Sequence, residues 1–198
     1  MSIPFATLKT YEKNRVDLAI DEFAKLEKPT VADLNRVKTQ AAIQNGIDRY
    51  RLGAVGMSDK QLETERHSSK RMACYMTAST DARPSSYCDC HAIVSGKHES
   101  AAPMRAIMAW CLMRIDDPRN GCWLPRNWDA RPHMPSWLKG AVPHQGLHNP
   151  EYYQWMATTI NIRFIGGLDD LIIALKMIRT NLQGGSLRSD AWPKRKVV

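Results

Sequence analysis

Apolar residues recur at helical spacing through the first third of the chain. Phe5, Leu8, Tyr11, Leu18, Phe23 and Leu26 form one series, which stops ahead of Lys28-Pro29 because a residue before proline disfavours helical geometry. Thr30 is placed to cap a second series, with Asp33 at its third position and Val31, Leu34, Val37, Ile43, Ile47 and Tyr50 along it. Gly53 and Gly56 interrupt that series, and Ser58 predicts a short third helix over DKQLETERHSSKR. His67 stands alone in this polar stretch, where a solvated surface residue is expected. Residues 1–72 thus read as helices without chemistry.

The run from Ala78 to Cys90 is rich in turn formers and predicts a boundary, with a helical region or linker at 1–77 and a second domain at 78–198. Ala101 to Ile115 has a helix pattern that tolerates Pro103 in its first turn. Asn120-Gly121 signals a turn before the strand-like CWLP, and the Pro- and Trp-rich residues 127–143 read as an ordered loop. Asn149-Pro150 predicts a capped helix running to Phe164, stopped by Gly166-Gly167. A last helix is predicted over Leu168–Gln183, closed by Gly184-Gly185, with a loose basic tail from Leu187. The fold class that follows is α+β, mostly helical.

Composition narrows the possibilities. With 198 residues, 43% of them hydrophobic, the chain can bury a core without disulfide staples. No apolar run approaches the ~20 residues of a membrane span, and the N-terminal residues lack the basic-then-apolar order of a secretion signal. Five cysteines, an odd number, predict reduced thiols rather than a disulfide framework, and Cys88-Asp89-Cys90 is not the CxxC clip of a zinc ribbon. A net charge of +8 favours a polyanionic partner such as nucleic acid.

Five of the six histidines lie between residues 91 and 148. His91 precedes the apolar pair Ile93-Val94, and His144 with His148 forms HQGLH just ahead of a helix start. On a regular helix that spacing puts both imidazoles on one face, able to share a metal. Gly146 and the cap at Asn149 predict a loop or tight turn instead, which leaves both a shared ion and two unrelated surface residues open.

A histidine in a strand, Asn-Gly before a second strand, and paired histidines at a helix start are the parts of a ββα-metal nuclease finger, in order. The stretch CHAIVSGKHESAAPMRAIM, through RIDDPRNGCWLPRN to GAVPHQGLHNPEYY, resembles the AHH family of HNH/endonuclease VII-like nucleases over residues 88–156. The resemblance implies a ββα-metal finger embedded among helices. It implies His91, His144 and His148 as ligands of a divalent ion (Mg²⁺, Zn²⁺, Ni²⁺ or Mn²⁺), with His144 or His148 also able to hold the scissile phosphate. Asn120 would tie the finger's loop together, Tyr152 would lie near the site, and Lys97, His98 and Arg126 would contact phosphate. The position of the general base is taken by Ala92, which has no basic atom, so a strongly impaired nuclease is expected. Because the other motif residues are intact, a replaced base in a parental CHHIV is favoured over a decayed domain.

Such domains commonly end bacterial toxins, which implies synthesis in the cytoplasm and delivery by a secretion system without a signal peptide. It further implies action in a recipient cytoplasm, DNA in preference to RNA as substrate, and a cognate acidic immunity protein. Two other readings stand beside it. One is a naturally non-catalytic nucleic-acid or metal-binding module, and the other is a helical adaptor that engages a protein partner through residues 1–72.

Overall fold

The computed structural model describes residues 13, 15–79 and 81–195. Helix α1 spans Arg15–Ala24, so the apolar positions Phe5 to Tyr11 of the first series lie outside the described residues. Helix α2, Val31–Leu52, begins at the anticipated capping box, in which Thr30 and Asp33 satisfy each other's backbone N–H groups. Its buried residues are Ile47 and Tyr50 near the C-terminal end, while Gln40 in mid-helix donates to the Ala78 carbonyl and α1 packs on α2.

The third predicted helix is in fact two. Helix α3 (Asp59–Glu63) and helix α4 (Ser69–Ala78) are separated by an irregular link at residues 64–68. The link has a better use for its polar groups than a helix would. Glu65 receives two bonds from Arg114, at 2.6 and 3.1 Å, and the Ser68 N–H donates to Asp116 at 3.0 Å. Ser68 then caps α4 through its hydroxyl.

Strand β1 (Cys88–Ala92) and strand β2 (Gly121–Pro125) form the antiparallel sheet, with His91 opposite Cys122 and Ala92 opposite Gly121. Between them lies helix α5, Ala102–Trp110, shorter than the predicted Ala101–Ile115. The chain leaves it through Leu112, whose φ of +53° is left-handed, and turns so that Asp116 and Asp117 are buried. Helix α6, Pro150–Ala157, starts at the expected Asn149 cap but stops well before Phe164. There the Thr158 hydroxyl donates to the Trp155 carbonyl and the Asn161 amide to that of Ala157, closing the end locally.

Helix α7, Leu168–Gly184, lies against β2. It ends at Gly185, φ +74°, where a Cβ would fall 2.3 Å from the Gly140 carbonyl oxygen, so only glycine fits. The tail is not loose as far as Pro193. Leu187 and Ala191 are buried, Trp192 stacks on Trp128, and the Asn149 amide donates to the Ala191 carbonyl. One continuous apolar core joins α4, both strands, α5, α6, α7 and this tail. The whole is a mostly helical α+β fold whose two-stranded sheet and α6 form the finger-like centre. Among the described residues, no helix is long and apolar enough to cross a membrane.

Candidate metal centre

Strand alternation sorts the residues of β1. Asp89 and His91 project from one face, while Cys88, Cys90 and Ala92 project from the other. On the second face Cys90 meets Met76 of α4, and a Cβ on Gly121, opposite Ala92, would come 2.4 Å from the Met76 sulfur. Position 92 therefore looks toward α4, and His91 looks away from it.

On the His91 side three imidazoles converge. Ligand atoms of His91, His144 and His148 all lie within 4.8 Å of one another, with His91 fully buried and the other two partly open. His144 and His148 are not helical; they sit on the loop that leads into α6, with Gly146 at φ +81° bending the chain between them. Asn149 then caps α6 and fixes where that loop ends.

The hydrogen bonds around each ring determine which nitrogen is free. The Tyr152 hydroxyl donates to the Ile93 carbonyl at 3.0 Å, so toward His91 its oxygen must accept, from the Nε2–H at 3.1 Å. That tautomer leaves His91 Nδ1 with a lone pair, and Nδ1 is buried without a partner. His144 directs Nδ1 at Asp89 (3.5 Å), and His148 directs Nδ1 at the Tyr153 hydroxyl (2.7 Å). With protons on those Nδ1 atoms, both Nε2 lone pairs are available. An orphaned buried nitrogen beside two imidazoles whose outer nitrogens are held is the donor set a divalent transition ion takes.

The electrostatics agree with neutral, ligating rings. Burial, and then the charges of His148, His144 and His67, hold the His91 pKa well below its usual value. Burial first, and then His144, His98 and His67, bring His148 down to about 4. Tyr152 is pushed far up by burial, and Tyr153 is raised to about 12 for the same reason, so neither is a phenolate near neutrality.

The remaining residues of interest fall around this cluster. Asn120 is buried; its Oδ1 accepts from Val94 N, and its Nδ2 donates to the Val94 and Ile115 carbonyls, tying the loop after β1 to the turn before β2. His98 stacks on Tyr153 and lies close to His148. Lys97 is exposed. Arg126 is exposed too but pairs with Asp89 at 3.2 Å, so part of its charge is already answered. A groove of about 700 Å³ runs beside the cluster, and Lys70, Arg83, Asp89 and His144 are among its lining residues.

Residues 73–162 match a family model described as AHH, a nuclease family of the HNH/ENDO VII superfamily with conserved AHH. Over that segment, a little under half of the chain, the protein is similar to an AHH nuclease domain. Comparison with curated proteins and with solved structures finds no match. Nucleases of the HNH/ENDO VII superfamily use divalent metals, in keeping with the three-histidine cluster found here.

One residue outside the matched segment is not what its sequence context indicates. His67 is not a solvated residue of a polar helix. It lies in the link before α4, with Nδ1 2.5 Å from the buried Asp116 carboxylate. Asp116 also accepts from Arg71 Nε at 2.7 Å, and its own N–H donates to the Tyr50 hydroxyl. The available signal was Asp116-Asp117 itself, an acidic pair between apolar Ile115 and Pro118 in a basic chain.

Proposed function

We propose that this chain is a metal-dependent nuclease that hydrolyses phosphodiester bonds, DNA in preference to RNA, as an antibacterial toxin or effector domain. The observation that carries the reading is the convergence of His91, His144 and His148 around a buried, unpartnered His91 Nδ1. His91 Nδ1 and the Nε2 atoms of His144 and His148 would hold the ion. When bound, a divalent ion supplies Lewis-acid stabilisation of the charge that develops on the phosphate and the leaving oxygen.

The chain's own residues do the rest. Tyr152 and Tyr153 fix the ring orientations of His91 and His148, and Asp89 aligns His144. Asn120 holds the two strands' connecting segments in register around His91. Lys97, His98 and Arg126 would contact a phosphate backbone without base reading, and the net charge of +8 gives that backbone a sequence-independent attraction. Ala92 supplies no base from β1, and cleavage is expected to be slower than with histidine at that position.

Delivery without a signal peptide into a recipient cytoplasm, and neutralisation by an acidic immunity protein over the cationic site, belong to the same reading. Charge complementarity of that kind speeds association as well as blocking DNA. The test is plasmid DNA and RNA incubated with Mg²⁺, Mn²⁺, Ni²⁺ or Zn²⁺, with and without chelator, using the chain and its Ala92→His variant. Chelator-sensitive cleavage, faster by ~10²-fold or more in the variant, is expected. Absence of metal binding by calorimetry together with absence of cleavage in both proteins would refute the reading.

A further inference from the structure

Hydrolysis of a phosphodiester by water needs a group that takes the water's proton as the oxygen–phosphorus bond forms. Among the residues around the cluster the choice is narrow. His91, His144 and His148 are committed as donors to an ion. His98 uses Nδ1 to accept the Ser100 N–H at 3.2 Å, which places its proton on Nε2 and leaves no basic lone pair. Tyr152 gives its proton to the Ile93 carbonyl, and Ala92 has nothing to offer.

His67 differs from all of them. A carboxylate can only accept, so Asp116 at 2.5 Å fixes the proton on His67 Nδ1 and leaves the Nε2 lone pair outward. Nε2 has no hydrogen-bond partner among the described residues, and the side chain is 22% exposed, within reach of water. The carboxylate is itself fixed by Arg71 and the Ser68 N–H, so the imidazole is held in one tautomer and one orientation. This is the arrangement of an oriented general base.

Its place in the fold ties α4 to the loop that follows β1. His67 immediately precedes the Ser68 cap of α4, the helix that the Ala92 face of β1 packs against. It presses on the loop that carries Lys97 and His98; a Cβ on Gly96 would fall 2.6 Å from the His67 Cβ, so glycine there permits the approach.

We propose that His67, oriented by Asp116, is the general base through which this chain cleaves its substrate, in place of residue 92. The proposal rests on the nuclease reading of the three-histidine cluster. In the step it describes, water gives one proton to His67 Nε2 while its oxygen bonds to phosphorus. The bond from phosphorus to the leaving oxygen breaks, that oxygen is protonated from solvent, and the imidazolium returns its proton to solvent. The base thus comes from outside the segment that matches the AHH family.

The experiment compares the full chain with His67→Asn, His67→Ala and Ala92→His, on plasmid DNA with Mg²⁺ or Mn²⁺. Circular dichroism and calorimetric Zn²⁺ binding serve as controls for folding and for the cluster. His67→Asn keeps an N–H for Asp116 but has no basic nitrogen. It should fold, bind Zn²⁺ and DNA as the parent does, and lose ~10²-fold in kcat. Free imidazole should restore part of the activity of His67→Ala, a rescue that a structural role would not give. The proposal is overturned if folded His67→Asn cleaves at the parental rate, or if imidazole rescues nothing. It is also overturned if the parent is inactive while Ala92→His cleaves, a result that leaves the nuclease reading standing. If neither the parent nor Ala92→His cleaves and Zn²⁺ does not bind, both fall.

Discussion

Replacing Tyr152 by phenylalanine removes a single oxygen from the centre of the protein, and the structure specifies what that oxygen does. It accepts the His91 Nε2–H and donates to the Ile93 carbonyl, and all of these groups are buried. Leaving a buried donor or acceptor unpaired costs ~1–3 kcal/mol each, and the phenyl ring recovers part of this because no hydroxyl needs burying, so about 2–4 kcal/mol of stability should be lost. His91 has one escape: it can move its proton to Nδ1. That is the nitrogen we assign to the ion, so the escape competes with metal binding, and affinity should fall ~10–100-fold, the usual effect of losing an outer partner of a ligating histidine. Urea unfolding of chelator-treated protein reads the first effect, and calorimetric titration with Zn²⁺ reads the second. A variant as stable as the parent to within about 0.5 kcal/mol, with Zn²⁺ affinity unchanged, would show that Tyr152 does not set the His91 tautomer.

Acid should destabilise the metal-free protein. His148 takes a proton only near pH 4 in the fold but near ~6.5 when unfolded, so its contribution is complete above the unfolded value and is lost as pH falls toward about 4. Each such histidine steepens the loss by at most ~1.4 kcal/mol per pH unit, and His91 adds to the same window; urea midpoints that stay flat from about pH 7 to about pH 5 would contradict this. Of the five cysteines only Cys74 is exposed, while burial pushes Cys90 up to about 12 and raises Cys88, Cys111 and Cys122 as well. A thiol reagent should therefore label Cys74 quickly and the others only on unfolding, and fast labelling of Cys122 would be inconsistent with its place in the core. Asn149→Ala removes both the α6 cap and the tether to Ala191, and should cost ~1–2 kcal/mol in a thermal melt. Binding of the chain to DNA should weaken steeply with salt, with a log–log slope of about −0.9 per phosphate contact; a salt-independent affinity would exclude backbone recognition.

Some of this architecture is legible in the chain because it is written locally. Thr30 with Asp33, Ser58 with Gln61, and Asn149 with Pro150 are capping sequences whose meaning is complete within four residues, and each starts a helix where expected. The order His91, Asn120-Gly121, His144, His148 identifies the finger because the strand–turn–helix succession is itself sequential. Helix ends were less legible. Trp110 and Ala157 are last residues because of a left-handed Leu112 and side-chain bonds from Thr158 and Asn161, while the apolar periodicity runs on past both. His67 is illegible for a stronger reason: its partner Asp116 lies 49 residues away, and no local pattern distinguishes a solvated imidazole from one that a distant carboxylate orients. The tail's basic charge suggests looseness, yet the buried Leu187, Ala191 and Pro193 anchor it.

The partners of the Asp116 carboxylate bear on how this segment can be recombined with other sequences. His67, Ser68 and Arg71 all precede residue 73, as does Tyr50, whose hydroxyl receives the Asp116 N–H. A fragment cut to residues 73–162 would keep the carboxylate and discard every one of these groups. Stripping a buried carboxylate of its partners typically costs ~3–5 kcal/mol, a large share of what holds a protein of this size together. The cut would also break the pairing of Arg114 with Glu65 and that of Asp117 with Arg51. Exchange of this domain between proteins, in evolution or by design, is therefore favoured when the junction falls before residue 47 and disfavoured at the edge of the family match.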